Sequence, residues 1–257
     1  IEGNLIDAYR RCVPGTMLHV DELMTERGTN FELRNQWFYT ADGNVYSLEN
    51  KTPTLWVTRE ATNPVLKNIE DAFTIFKNGD NYPISSADFE AVRNASDTVS
   101  IDLTQLRLRG DNGKGYQHLV IDTSKELSKC YAEEQKLLLR IYGPTEENYT
   151  ASMQMLRDST HKIKETRIYV LNPKYVTANA KNNAVGRASG LDSFDLSSIF
   201  GANIRIVLNG NGYVRGVRRE VSAAGAQTQK VVVPCAASAP QEVIEVNLAE
   251  HYKAILS

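Results

Sequence analysis

Phosphate chemistry would first be sought in the loop Arg109-Gly110-Asp111-Asn112-Gly113-Lys114-Gly115. A loop that cradles phosphate needs a glycine five positions before its Gly-Lys pair and a Ser or Thr after it, so that backbone N–H groups surround the anion and a hydroxyl reaches the metal. Those positions hold Leu108 and Gly115, and a strand-like run follows in place of a helix. The loop therefore reads as a hairpin turn. Ser159 and Lys162 have the Ser-x-x-Lys spacing in which a lysine can deprotonate a serine one helical turn away. Neither partner motif of that chemistry, Ser-Asp-Asn or Lys-Thr-Gly, occurs in the chain. The pair reads instead as the cationic end of a helix, where positive charge suits the dipole.

Metal chemistry fares similarly. His19, His118, His161 and His251 are scattered, and none forms the His-x-x-x-His pair that puts two imidazoles on one helical face. Asp21 and Glu22 follow His19 without the spacing of a facial metal set, so the histidines read as structural. Asp192 and Asp195 could hold Mg²⁺ together with substrate phosphates, since that ion keeps several waters and needs few protein ligands. They could equally cap a short helix at 196–200. Asp102, Asp111 and Asp122 could gather near a hairpin, which leaves a metal-dependent phosphoester hydrolase as one reading. No metal site or cofactor is assigned. Cys12, Cys130 and Cys235 are far apart with no Cys-x-x-Cys, and read as reduced thiols.

The strongest asymmetry is one of charge. Residues 1–160 hold 17 Lys+Arg against 24 Asp+Glu, whereas residues 161–220 hold 10 against 4, inside a chain of net charge −2. The basic block comprises Lys162, Lys164, Arg167, Lys174, Lys181, Arg187, Arg205, Arg215, Arg218 and Arg219. Alternate residues of a strand share a face, so Tyr213, Arg215, Val217 and Arg219 would line one side of a strand beginning at Tyr213. An aromatic ring among guanidiniums suits base stacking and phosphate contact. Each phosphate neutralised releases counterions, which gives salt-sensitive affinity. The same cations could instead meet the acidic N-terminal portion, within one molecule or between copies, as in a structural subunit of a virus-like or multiprotein assembly.

These groups must be positioned by elements whose ends the sequence marks. Asn63-Pro64 starts a helix carrying Leu66, Ile69, Phe73 and Phe76, and Asn78-Gly79 ends it. Ser85, three residues before Asp88, starts another. A helical hairpin is predicted at about 125–159, with Leu127, Tyr131, Leu138 and Ile141 on one face, a break at Gly143-Pro144, and Thr145 capping a helix with Tyr149, Met153 and Leu156 buried. Strand pairs are predicted around Asp42-Gly43, around the 109–115 loop, and around Asn209-Gly210-Asn211-Gly212. Residues 176–202 read as a long surface loop, 222–229 as a connector, and 248–256 as a terminal helix.

Hairpins outnumber strand-helix-strand repeats, so the expectation is a single α+β domain over 1–257 with mainly antiparallel sheet. An acidic portion (1–160) and a basic, β-rich portion (161–257) could divide it. No run reaches the roughly 18 apolar residues that span a bilayer, and no leader pattern opens the chain at Ile1. A soluble protein is expected, in the cytoplasm or in a particle assembled there. The leading functional expectation is a non-enzymatic protein that engages nucleic-acid backbone through 161–219. Assembly subunit and phosphoester hydrolase are the alternatives.

Overall fold

The computed structural model describes residues 38–78, 80–110, 115–158, 162–181, 183–193, 199–206, 213–214 and 246–247. β1 (Phe38–Glu49) and β2 (Thr52–Thr58) form an antiparallel hairpin in which Val45 opposes Trp56. Its turn is Asn50-Lys51, with φ of 51° and 71°, the left-handed conformation that matches the twist of paired strands.

The hairpin expected around Asp42-Gly43 does not form there. Both residues lie inside β1, where the register against β8 (Val185–Ser193) shifts between Thr40 and Gly43. Asp42, 1% exposed, pairs with Arg59 at 3.1 Å. Asn63 fills the space beside Gly43, where an added Cβ would lie 2.2 Å from its Oδ1. The local excess of chain is taken up as a bulge, which bends a strand without ending it. Because Asn63 also caps the following helix, Gly43→Ala is expected to lower stability by about 1–3 kcal/mol. An unchanged melting temperature would show that Asn63 moves aside freely.

The Asn63 side chain accepts the N–H groups of Val65 and Leu66, with Pro64 at the first helical position. The single helix expected after it is two, α1 (Pro64–Lys67) and α2 (Ile69–Lys77), separated at Asn68 where φ is −122°. α3 (Ser86–Asn94) starts where predicted, with the Ser85 hydroxyl accepting the Asp88 N–H at 3.1 Å. These helices pack Val65, Ile69, Phe73, Phe76 and Val92 with Val45 and Ala188 in one core cluster.

The helical hairpin is present as α4 (Ala132–Tyr142) and α5 (Glu146–Asp158), linked through Gly143-Pro144, with the Thr145 hydroxyl accepting the Asn148 N–H. Leu137, Leu138, Ile141, Tyr149, Met153 and Leu156 are buried in the larger core cluster. Its first helix begins later than expected: Leu127–Lys129 is a 3₁₀ turn, and Tyr131 is 57% exposed instead of lying on the apolar face. The cause is Glu134, whose carboxylate accepts the Tyr131 N–H at 3.2 Å and fixes the helix start there.

The remaining strands are β3 (Tyr82–Pro83), β4 (Val99–Asp102), β5 (Leu108–Arg109), β6 (Tyr116–Asp122), β7 (Glu165–Leu171), β9 (Ile199–Ile206), β10 (Tyr213–Val214) and β11 (Val246–Asn247). They join in the order β11-β10-β1-β8-β9-β7-β6-β5, with β2 and β3 paired to β1 and β8, and β4 paired to β2. Among the described strands, all pairings are antiparallel except β7–β9 and β1–β10. The fold is α+β, and strands of the acidic and basic portions share one sheet.

One expectation for the basic portion changes. Residues 176–202 are not a loop: they contain the end of α6 (Pro173–Asn179), all of β8, and the start of β9. β8 lies in the interior of the sheet, and its small residues Gly186, Ala188, Ser189 and Gly190 are buried. A strand buried in this way lacks polar alternation, which makes it look irregular in sequence. Among the described residues, β9 pairs with β7 and β8, and β10 with β1 and β11. The turn expected at Asn209–Gly212, the 222–229 connector and the 248–256 helix lie outside the described residues. No helix among the described residues is long and apolar enough to cross a membrane.

Candidate functional site

The β5–β6–β7 end of the sheet carries its chemistry on one face. Along β6, Leu119 and Ile121 point into the core while Tyr116, His118 and Val120 lie on the other side, half-buried. Along β7, Ile168 and Val170 are buried while Arg167 and Tyr169 share the outer face. The antiparallel register sets His118 opposite Tyr169 and Val120 opposite Arg167, and β5 adds Arg109 opposite His118. Five side chains with useful chemistry thus come from three strands.

The three rings form a row. Tyr116 and Tyr169 meet edge to face with centroids 6.2 Å apart, and His118 tilts against Tyr169 at 5.3 Å. Two guanidiniums act on the row's imidazole. Burial pushes His118 below its ordinary value, Arg167 and Arg109 push it the same way, and Glu165 opposes them. Burial and the two guanidiniums therefore favour the neutral imidazole. Arg167 is itself oriented by Glu165, which accepts its Nε at 2.8 Å and its Nη2 at 2.6 Å.

The loop between β5 and β6 is anchored at both ends by glycines in the left-handed region, Gly110 at φ 74° and Gly115 at φ 75°. A side chain at Gly110 would meet the His118 ring at 2.9 Å, and one at Gly115 the Tyr175 ring at 2.7 Å. Glycine at these positions lets the rings lie against the loop ends.

The sequence-predicted cations divide. Lys162 and Lys164 are exposed just before β7, where Glu165 opposes Asp122. Arg167 lies within β7, on the outer face. Lys174 and Lys181 are exposed beyond the opposite end of that strand, in and after α6. Seven residues of extended chain separate these groups by roughly 20 Å. Arg187 is 5% exposed in β8, donates to the Asp80 carbonyl and to Asn81 Oδ1, and stands 5.9 Å from the Phe76 ring. Arg205 is in β9, with Asn203 opposite Tyr169 on the neighbouring strand, and Tyr213 opposes Phe38. Arg215, Arg218 and Arg219 lie outside the described residues.

Of the predicted cations, Arg167 thus lies on the face of a ring row that sequence reasoning did not single out, whereas Lys162 and Lys164 precede the other end of β7, the rings lying toward Leu171. The signal lay in the alternation Tyr116-x-His118 and Arg167-x-Tyr169, but only the register makes the two pairs adjacent.

The other candidate chemistry resolves into local structure. Asp102 accepts the Thr104 N–H and Asp122 the Ser124 N–H, each at 2.8 Å, so each carboxylate closes its own turn. Asp192 is in β8, opposite Gly201. Asp111, Asp195, Ser159, His19, His161 and His251 lie outside the described residues. Among the described residues, no group of three or more His, Cys, Asp or Glu is placed to hold a metal ion. Cys130 is buried, and burial raises its thiol pKa, which disfavours the reactive thiolate.

No family model matches the chain, and neither does any curated protein. A solved structure does resemble it, with a TM-score of 0.56 over 79% of this chain and 88% of the other, at 14% sequence identity. That structure comes from work on the accommodation of massive sequence variation in Nanoarchaeota by the C-type lectin fold. At this identity the likeness is one of fold.

Proposed function

We propose that this chain, with the fold likeness as premise, is a non-enzymatic binding protein that engages nucleic-acid backbone through the outer face of β5–β6–β7. The similar structure is described as accommodating sequence variation on the same kind of framework, which suits a scaffold whose function resides in what its surface displays. The observation that carries the reading is the placement of Arg109 and Arg167 beside the ring row, with Lys162 and Lys164 at the end of the same strand. Guanidiniums fixed on a sheet meet phosphate oxygens in a planar, two-pronged geometry, and ammonium groups add point charges.

Fluorescence anisotropy with a labelled oligonucleotide tests it. Binding at low salt is expected to weaken steeply as salt is raised, by roughly 0.7–0.9 log units per phosphate contact for each tenfold change. No binding at about 50 mM salt would reject the proposal.

A pH dependence of definite sign follows. His118 starts below its ordinary value of 6.5 because of burial, with Arg167 of β7 and Arg109 of β5 adding to the effect and Glu165 of β7 opposing it. A bound phosphate draws positive charge toward the site, so binding takes up a proton. Affinity is expected to rise as pH falls through the range in which His118 takes up its proton, and His118→Gln is expected to flatten that profile. A profile unchanged by His118→Gln would place the titrating group elsewhere.

A further inference from the structure

We infer that the ligand of this face is single-stranded nucleic acid, held by unpaired bases stacked on the row Tyr116–Tyr169–His118 while Arg109 and Arg167 take the phosphates beside the rings and Lys162 and Lys164, before the other end of β7, take phosphates further along the strand. The inference rests on the reading above and adds the bases to it.

Backbone contact alone needs only cations, yet the outer face of β6 and β7 devotes three of its positions to rings. A duplex keeps its base faces inside its own stack and offers none to such a row. Every base has a π face, so the stacking is sequence-tolerant. The charges match as well: Arg109 opposes His118 and Arg167 stands two residues from Tyr169 on the same face, while the two carboxylates described on this face, Glu165 and Asp122, oppose each other at the end away from the rings. Glu165 is already turned toward Arg167, and Asp122 toward Ser124.

The test compares three labelled probes of equal length on the intact chain: a deoxythymidine dodecamer, the same sequence in a duplex, and a strand of abasic spacers with identical phosphates. The dodecamer is expected to bind roughly tenfold or more tightly than the other two. Tyr169→Leu is expected to lose roughly tenfold for the dodecamer, with little change for the abasic strand. Tyr169→Trp supplies a readout independent of affinity, since an indole stacked on thymine loses fluorescence relative to the wild-type background from Trp37 and Trp56.

Equal or tighter binding of the duplex would overturn the inference and leave the backbone reading standing. So would a dodecamer no tighter than the abasic strand, or indole emission that the dodecamer fails to quench in Tyr169→Trp. Absence of binding by all three probes would overturn both. A Tyr169-dependent dimer in light scattering, without nucleic-acid binding, would overturn both as well and assign the face to contact between copies.

Discussion

Arg109→Ala/Arg167→Ala is expected to bind a single-stranded oligonucleotide roughly 25-fold more weakly than wild type at about 0.1 M salt, and to flatten the log-log salt slope by about 1.4. The figures come from two phosphate contacts at about 0.7 each for single strands. Arg167 also neutralises Glu165, so its removal leaves a carboxylate facing the ligand and adds to the loss. The control is Lys181→Ala, beyond α6. That cation belongs to the same basic block of the sequence but lies by Ser47, Ile84 and Phe89, away from the ring-bearing face, and its removal is expected to change affinity by less than about threefold. A loss per charge as large in the control as in the double variant would mean that binding follows the block's overall charge, with no role for the β5–β6–β7 surface.

A second large effect is expected far from that face, at the start of α4. Glu134 is 0% exposed and accepts Arg107 Nε at 2.7 Å and Nη2 at 2.5 Å as well as the Tyr131 N–H. Burial alone would raise its pKa, but the Arg107 hydrogen bonds, with help from the Tyr131 N–H, overcome this and hold the carboxyl below its ordinary value. Arg107 also lies 4.2 Å over the Tyr131 ring. Arg107→Ala removes the counterion of a buried carboxylate, and its expected cost is about 3 kcal/mol at pH 7, the low end for such losses because Arg107 itself is half exposed.

The pH dependence identifies the cause. In wild type the depressed pKa gives stability that is present above the unfolded value of 4.5 and is lost as pH falls through the folded value. In Arg107→Ala the stranded carboxyl has its pKa raised, so protonation relieves the variant. The gap between the two proteins is expected to narrow as pH falls from about 7 toward about 4. A gap constant across that range in urea titrations would attribute the loss to packing of Arg107 on Tyr131 instead of to charge.

Local signals in the sequence reported local structure well. Asn63-Pro64 and Ser85 mark helix starts because capping needs only a side-chain oxygen and two or three adjacent N–H groups. Gly143-Pro144 stops one helix and Thr145 begins the next for similar reasons, so the helical hairpin was legible apart from its first turn. Tyr131 misled because its spacing fits an apolar face, whereas the pairing of Glu134 with Arg107 is a contact across 27 residues. Asp42-Gly43 misled in the same way. The dipeptide favours a turn in isolation, but Arg59 and Asn63 arrive from elsewhere in the chain and make it a bulge.

What the chain by itself determined was its α+β character, its capped helices, and the presence of an excess of positive charge after residue 160. Tertiary structure alone decided which of those charges act together. A strand presents side chains to alternate faces, so its composition can suggest a surface. Which residues lie beside that surface depends on register and strand order, and these are settled by burial across the whole sheet. The pairing of His118 with Tyr169 joins residues 51 positions apart, and the placement of Arg187 inside the sheet removes a cation from solvent. Both follow from the packing of β6, β7 and β8 around a common core, which no short window of sequence contains.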